Sequence, residues 1–118
     1  MGTFSHPITL LDASGRHRER VEALVDTGAT FSSFPTSLLE RLGVRPIGTV
    51  RVRLASGQEE EWHLGEVRAE LDGTQRPILC FFGPPGAPAL IGAHALEAFL
   101  LTVDLVEQRL VPKEAYLA

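Results

Sequence analysis

Leu24-Val25-Asp26-Thr27-Gly28-Ala29-Thr30 carries the strongest structural signal in the chain. The residues leading into it, Arg18 to Val25, place Val21, Ala23 and Val25 on one face and Arg20, Glu22 and Leu24 on the other, the period-two pattern of a strand. That apolar strand runs directly into Asp-Thr-Gly, so a carboxylate stands in a tight loop immediately after buried backbone. Gly28 admits a close backbone approach that a side chain would block. The Thr27 hydroxyl can hydrogen-bond across such a close contact. Asp-Thr-Gly alone is also the vocabulary of an ordinary turn, so the surroundings must decide.

Working outward, turn signals recur at Asp12-Ala13-Ser14-Gly15, Leu42-Gly43, Ser56-Gly57, Asp72-Gly73 and Gly83-Pro84-Pro85-Gly86. Between them the pattern predicts strands over Thr3 to Leu11, Arg18 to Val25, Val50 to Leu54, Trp62 to Leu71, Gln75 to Phe82, Leu101 to Leu105 and Arg109 to Val111. Short helices are expected over Pro35 to Leu42, with Leu38, Leu39 and Leu42 at helical spacing, and over His94 to Phe99. Ser37 and Glu40 have the spacing of a capping box. The expectation is one mainly-β domain spanning residues 1–118. The two terminal strands have no evident partner in the chain, so they are expected to form a shared sheet between two copies.

Composition narrows the chemistry. At 118 residues with 44% apolar and 22% charged, the chain has the make-up of one globular domain. Its single Cys excludes an internal disulfide framework and a Cys-rich zinc site. Cys80, between Leu79 and Phe81, reads as a buried strand thiol. His6, His17, His63 and His94 lack metal-ligand spacing, and no cofactor or metal is expected. Ten of the eleven basic residues are Arg, with Lys113 the one Lys, which argues against Schiff-base and P-loop chemistry. The net charge is −4 and the Arg residues are interleaved with acids, so no nucleic-acid groove is expected. The longest apolar run, Ala95 to Val103, is interrupted by Glu97 and is far short of the ~20 residues a membrane span needs. No leader pattern is read at the start, and the expected setting is the cytoplasm, away from membranes.

The second informative stretch is Ala89-Leu90-Ile91-Gly92: apolar residues, a glycine, then a helical pattern and a strand. Together with Asp26-Thr27-Gly28-Ala29, the short helix ending in Leu42-Gly43 and the Ser56-Gly57 hairpin, it stands in the order found in one family. From about Val21 to Val111 the chain resembles the retropepsin-like aspartic proteases, the single-domain, retroviral-type class. The fold this implies is a closed β-barrel or sandwich with a flap hairpin and one or two short helices, active as a two-fold dimer.

The resemblance implies an aspartic endopeptidase that hydrolyses peptide bonds with a water held between two carboxylates, one acting as base and the other as acid. The chain has four Asp residues and one Asp-Thr-Gly, so Asp26 would be needed from each of two copies of a homodimer acting on an extended peptide or protein. By position, Thr27 would brace the two loops against each other, and Gly28 and Ala29 would line the cleft floor. The flap would be the hairpin from about Val50 to Gly65, with Ala55, Ser56, Gly57 and Gln58 at its tip. Pro88 and Leu90 would form walls of side-chain pockets, and Ile91 and Gly92 the second loop. Trp62 would either pack beneath the flap or serve as an interior structural residue. Thr30 and Ala93 depart from the pattern, because retroviral members carry an acid and a base there that pair to brace the dimer. That departure motivates an alternative: a non-catalytic or weakly active dimerisation or peptide-binding module on the same fold.

Overall fold

A computed structural model describes residues 4–117. Its elements in chain order are β1 (Phe4–Leu11), β2 (Arg18–Val25), β3 (Ser32–Pro35), α1 (Thr36–Arg41), β4 (Pro46–Arg53), β5 (Glu59–Leu71), β6 (Thr74–Gly83), β7 (Leu90–Ile91), α2 (Ala93–Ala98), β8 (Leu101–Asp104) and β9 (Arg109–Pro112). The sequence expectation of a strand beginning at Thr3 lies, at that residue, outside the described chain.

Local turn chemistry builds the hairpins. Leu71 pairs with Thr74, leaving a two-residue loop of Asp72 and Gly73 whose φ values are +50° and +85°. Two successive positive φ angles define the turn whose twist matches paired strands, and Asp-Gly adopts it readily. The β1–β2 hairpin closes over Asp12 to His17, where the Asp12 N–H donates to the His17 carbonyl at 3.0 Å. Between β4 and β5 the Leu54 N–H donates to the Gln58 carbonyl at 2.8 Å, so the chain reverses over Ala55 to Gly57.

Closure is non-local. The seven-stranded sheet runs β1-β2-β7-β3-β6-β5-β4, and β1 also pairs with β5 through Thr9, Leu10 and Leu11 against Glu70, Ala69 and Arg68. Six strands therefore form a ring, with β4 attached to the outer half of the long strand β5. Closing the sheet pairs strands whose edges an open sheet would have to protect. Alternate residues point inward along each strand. Ile8, Leu10, Val25, Phe34, Val67, Leu71, Ile78 and Ile91 fill the barrel, and Leu39 and Ala95 cap it from the two helices.

The mainly-β architecture expected from sequence is present, with corrections. Both helices fall within a residue or so of their expected spans. The capping box does not form: Pro35 occupies the N-cap of α1 and no side chain caps the helix. Ser37 already lies inside the first turn, too late to serve as a cap. Strands β3 and β7 were not expected, because β3 is short and contains two serines and a proline, and β7 has two residues. The terminal strands also have partners within the chain, β1 with β2 and β5, and β9 with β8, which removes the reason for assigning them to an intermolecular sheet.

Candidate active site

Asp26 is the first residue beyond β2, and the geometry there follows from β7. The two strands run parallel, with Leu24 opposite Leu90 and Val25 opposite Ile91. The ladder continues one step past the strand, where the Asp26 N–H donates to the Ile91 carbonyl at 3.0 Å. The chain then turns sharply: the Gly28 N–H donates to Asp26 Oδ1 at 2.9 Å and the Ala29 N–H to the Asp26 carbonyl at 3.1 Å. The carboxylate thus holds its own loop while its other oxygen stays free to act.

The loop after β7 is clasped onto this turn by backbone hydrogen bonds. The Ala93 N–H donates to the Ala29 carbonyl at 2.8 Å and the His94 N–H to the Thr30 carbonyl at 3.0 Å. Beneath them the Gly92 N–H donates to Ser32 Oγ at 3.1 Å, in a fully buried position. A Cβ on Gly92 would fall 2.6 Å from the carbonyl carbon and oxygen of Phe31 and 2.9 Å from the Ala29 oxygen. Only glycine allows the two loops to approach this closely.

Asp26 opens onto a cleft of about 660 Å³. Gly28, Ala29 and Thr30 form one side, Phe31, Ser33, Phe81 and Leu90 the floor, and the β4–β5 hairpin the opposite side through Val50 to Ala55 and Trp62, Arg51 and Arg53 included. Parallel pairing of β3 with β6 sets Ser33 beside Phe81 while Cys80 points into the barrel. Phe31 and Trp62 each meet Phe81 edge to face, with ring centroids 5.5 and 5.6 Å away. The result is a mainly apolar trough with Asp26 as its one carboxylate and Arg51 and Arg53 on the hairpin side, able to hold an extended chain with large apolar side chains. Cys80 takes no part, since burial pushes its thiol up to about 12. Among the described residues, no group of three or more His, Cys, Asp and Glu side chains comes together to hold a metal ion.

Comparison with known proteins decides the family. Residues 12–95 match the family model described as aspartyl protease. The chain belongs to the aspartyl protease family. Its fold is retropepsin-like. It is similar to the retroviral protease-like domain of Ddi1 from Leishmania major, with 19% identity, a TM-score of 0.61, and coverage of 98% of this chain and 91% of that one. The EIAV protease in complex with an inhibitor aligns at 18% identity and a TM-score of 0.59, over 81% of this chain and 86% of that one. A retropepsin-like aspartic protease from Rickettsia conorii aligns at 19% identity and a TM-score of 0.55, over 88% and 89%. No curated protein matches.

Within this aspartyl protease domain the expected site residues are distributed unevenly. Asp26, Gly28, Ala29, Leu90 and Ala55 line the cleft, while Ser56, Gly57 and Gln58 continue the hairpin tip beside it. Ile91 and Gly92 lie behind the carboxylate as its support. Thr27 is exposed and faces a different groove, with Ala93, Leu96, Leu101 and Leu105. Pro88 is exposed in the loop before β7 and is not part of the cleft lining. Phe31, Ser33 and Phe81 are lining residues that sequence reasoning missed, since only the β3–β6 pairing brings them to Asp26. Trp62, left between two roles, is half-buried on the cleft wall. Where retroviral members pair side chains, this chain joins Ala29 and Thr30 to Ala93 and His94 through backbone alone.

Proposed function

We propose that the protein is an aspartic endopeptidase that works as a homodimer, with Asp26 of each copy at a shared centre. The observation that carries this reading is the solitary carboxylate: the cleft around Asp26 holds no second acid, and metal-free acid–base hydrolysis of an amide needs two. A two-fold axis beside Asp26 supplies the other. One carboxylate takes a proton from the bound water as its oxygen attacks the carbonyl carbon, while the protonated partner donates to the carbonyl oxygen. The first carboxyl then passes its proton to the amide nitrogen while the partner carboxylate takes one from a hydroxyl of the tetrahedral intermediate, so the C–N bond breaks, acid and amine leave, and the pair again holds one proton. Two close carboxylates hold one proton between them because ionising both is electrostatically costly.

The surface next to the site supports the second copy. Thr27 borders a groove of about 350 Å³ between α2 and β8, lined by Leu96, Leu101, Val103 and Leu105 together with the Glu97–Lys113 pair, and Leu105 and Val106 are 66% and 88% exposed. Apolar side chains left this open gain by association. The β4–β5 hairpin serves as a flap that closes over an extended substrate, which adds backbone hydrogen bonds in strand fashion.

The test is cleavage of a peptide library by wild type and Asp26→Asn from acidic to neutral pH, with sedimentation of both at micromolar concentration. The Asn side-chain oxygen can still accept from Gly28, so the variant is expected to fold and dimerise like wild type. Its cleavage rate is expected to fall at least ~1,000-fold. Cleavage retained in Asp26→Asn, or a wild type that cleaves as a monomer, overturns the proposal.

A further inference from the structure

Glu59, Glu60 and Glu61 follow one another on the hairpin, and strand register separates them. Arg53 pairs with Glu59, Val52 with Glu60, Arg51 with Glu61 and Val50 with Trp62. Directly opposed residues share a face and neighbours alternate, so Glu59 and Glu61 stand with Arg51 and Arg53 on one face. Glu60 stands with Val50, Val52 and Trp62 on the other. On the first face charges are matched: Arg53 donates to Glu59 at 2.5 Å, and Arg51 lies 3.8 Å from the same carboxylate. The second face turns its half-buried Val50, Val52 and Trp62 to the cavity that holds Asp26, whose lining also takes in Arg51 and Arg53, the two cations held by Glu59.

Glu60 is therefore an exposed acid just outside the cleft lining, next to Trp62 on the face that carries Val50 and Val52. Its carboxylate is oriented by the indole of Trp62, whose Nε1–H donates to Oε1 at 2.8 Å. That ring is itself set edge to face against Phe81. The indole donor is neutral and leaves the carboxylate charge uncompensated; among the described residues Glu60 has no cationic partner. An anion beside an aromatic face suits one kind of side chain. A lysine or arginine lays its methylene stem along Val52 and Trp62, brings its charge to Glu60 and gains from the ring's negative face. An acidic side chain in the same place is repelled.

We infer that Glu60, held by Trp62, is a specificity-determining residue that selects substrate segments carrying a Lys or Arg next to the apolar side chain filling the cleft. The inference deepens the protease reading and rests on it for the identity of the cleft.

Trp62 is the single tryptophan of the chain, so its fluorescence reports on this wall alone. The experiment titrates the full-length Asp26→Asn protein with octapeptides built on a central Leu-Leu pair, in which one Lys is moved through the six flanking positions, each with a matched Gln peptide. At one position at least, Lys is expected to bind about three- to fivefold more tightly than Gln, the scale of a solvent-exposed charge pair. Adding Glu60→Gln, which retains an oxygen for the Trp62 N–H, should abolish the difference. Adding Glu61→Gln, the same charge change on the opposite face, should preserve it. No Lys preference at any position, a preference that survives Glu60→Gln, or equal loss in Glu61→Gln overturns the inference. Library cleavage separates it from the parent reading. Lysine-dependent binding without cleavage by wild type defeats the protease reading alone, and cleavage without a Glu60-dependent basic preference defeats this one alone.

Discussion

Replacing Gly92 with alanine tests the physical basis of the candidate site, because the added atom meets only backbone. The glycine has φ −95° and ψ 178°, a conformation open to any residue, so conformational strain contributes nothing. The whole effect is steric. The new Cβ would sit 2.6 Å from the Phe31 carbonyl, and reaching an ordinary 3.4 Å contact requires a displacement of roughly 0.8 Å. Phe31 belongs to the segment carrying Ala29 and Thr30, whose carbonyls accept from Ala93 and His94, so the clasp beside Asp26 must open as the clash is relieved. Overpacking of this kind costs about 1–3 kcal/mol, and weakening one hydrogen bond adds about 1 kcal/mol. At this chain length a loss of 2–4 kcal/mol lowers Tm by roughly 10 °C. Thermal unfolding followed by circular dichroism measures the shift. Gly48→Ala is the matched control, because its Cβ meets nothing within 4 Å and its Tm is expected to stay level or rise slightly. A Gly92→Ala protein melting within about 2 °C of wild type would refute the reasoning.

The neighbouring serine tests the same clasp by subtraction. Ser32→Ala removes the buried acceptor of the Gly92 N–H and should cost about 1–3 kcal/mol in urea unfolding; an unchanged midpoint at constant slope contradicts this. Cys80 should resist thiol reagents in the folded protein and react at once on unfolding, and rapid labelling of native protein at pH 8 counts against its burial. Its thiol also makes stability depend on pH, with a defined sign. The folded value, about 12, lies above the ordinary 9.0, so the folded state keeps a proton that the unfolded state releases. The contribution is full below pH 9 and declines as pH rises from 9 towards 12, by up to about 1.4 kcal/mol per unit. Wild type should therefore lose stability faster than Cys80→Ala between pH 8 and pH 10, and parallel pH slopes contradict it.

Much of the site was legible because it is written in short-range signals. Asp26 after an apolar strand, Gly92 before a helical pattern and Asp72-Gly73 at a two-residue loop each express a constraint settled within a few residues. The cleft floor was not legible. Ser32 and Ser33 lie outside every strand expected from sequence, yet both are buried in β3, where parallel pairing to β6 satisfies their backbone. Phe31 and Phe81 are 50 positions apart and meet only through that pairing. The partners of the terminal strands within the chain were not legible for a related reason. Strand pattern records which face is apolar and says nothing about which neighbour receives the edge.

The amino-acid sequence determined the turns and every strand but β3 and β7, the position of a lone carboxylate after β2 and, through a single Asp-Thr-Gly, the arithmetic that asks for a second copy. Tertiary structure alone decided how the ring of strands closes from β1 to β5, which aromatic side chains line the trough, and which of three consecutive glutamates meets the Trp62 indole. The division has a physical cause. Turn preference and side-chain alternation are set by dihedral angles and local sterics, whereas strand neighbours and register are chosen by burial summed over the whole barrel.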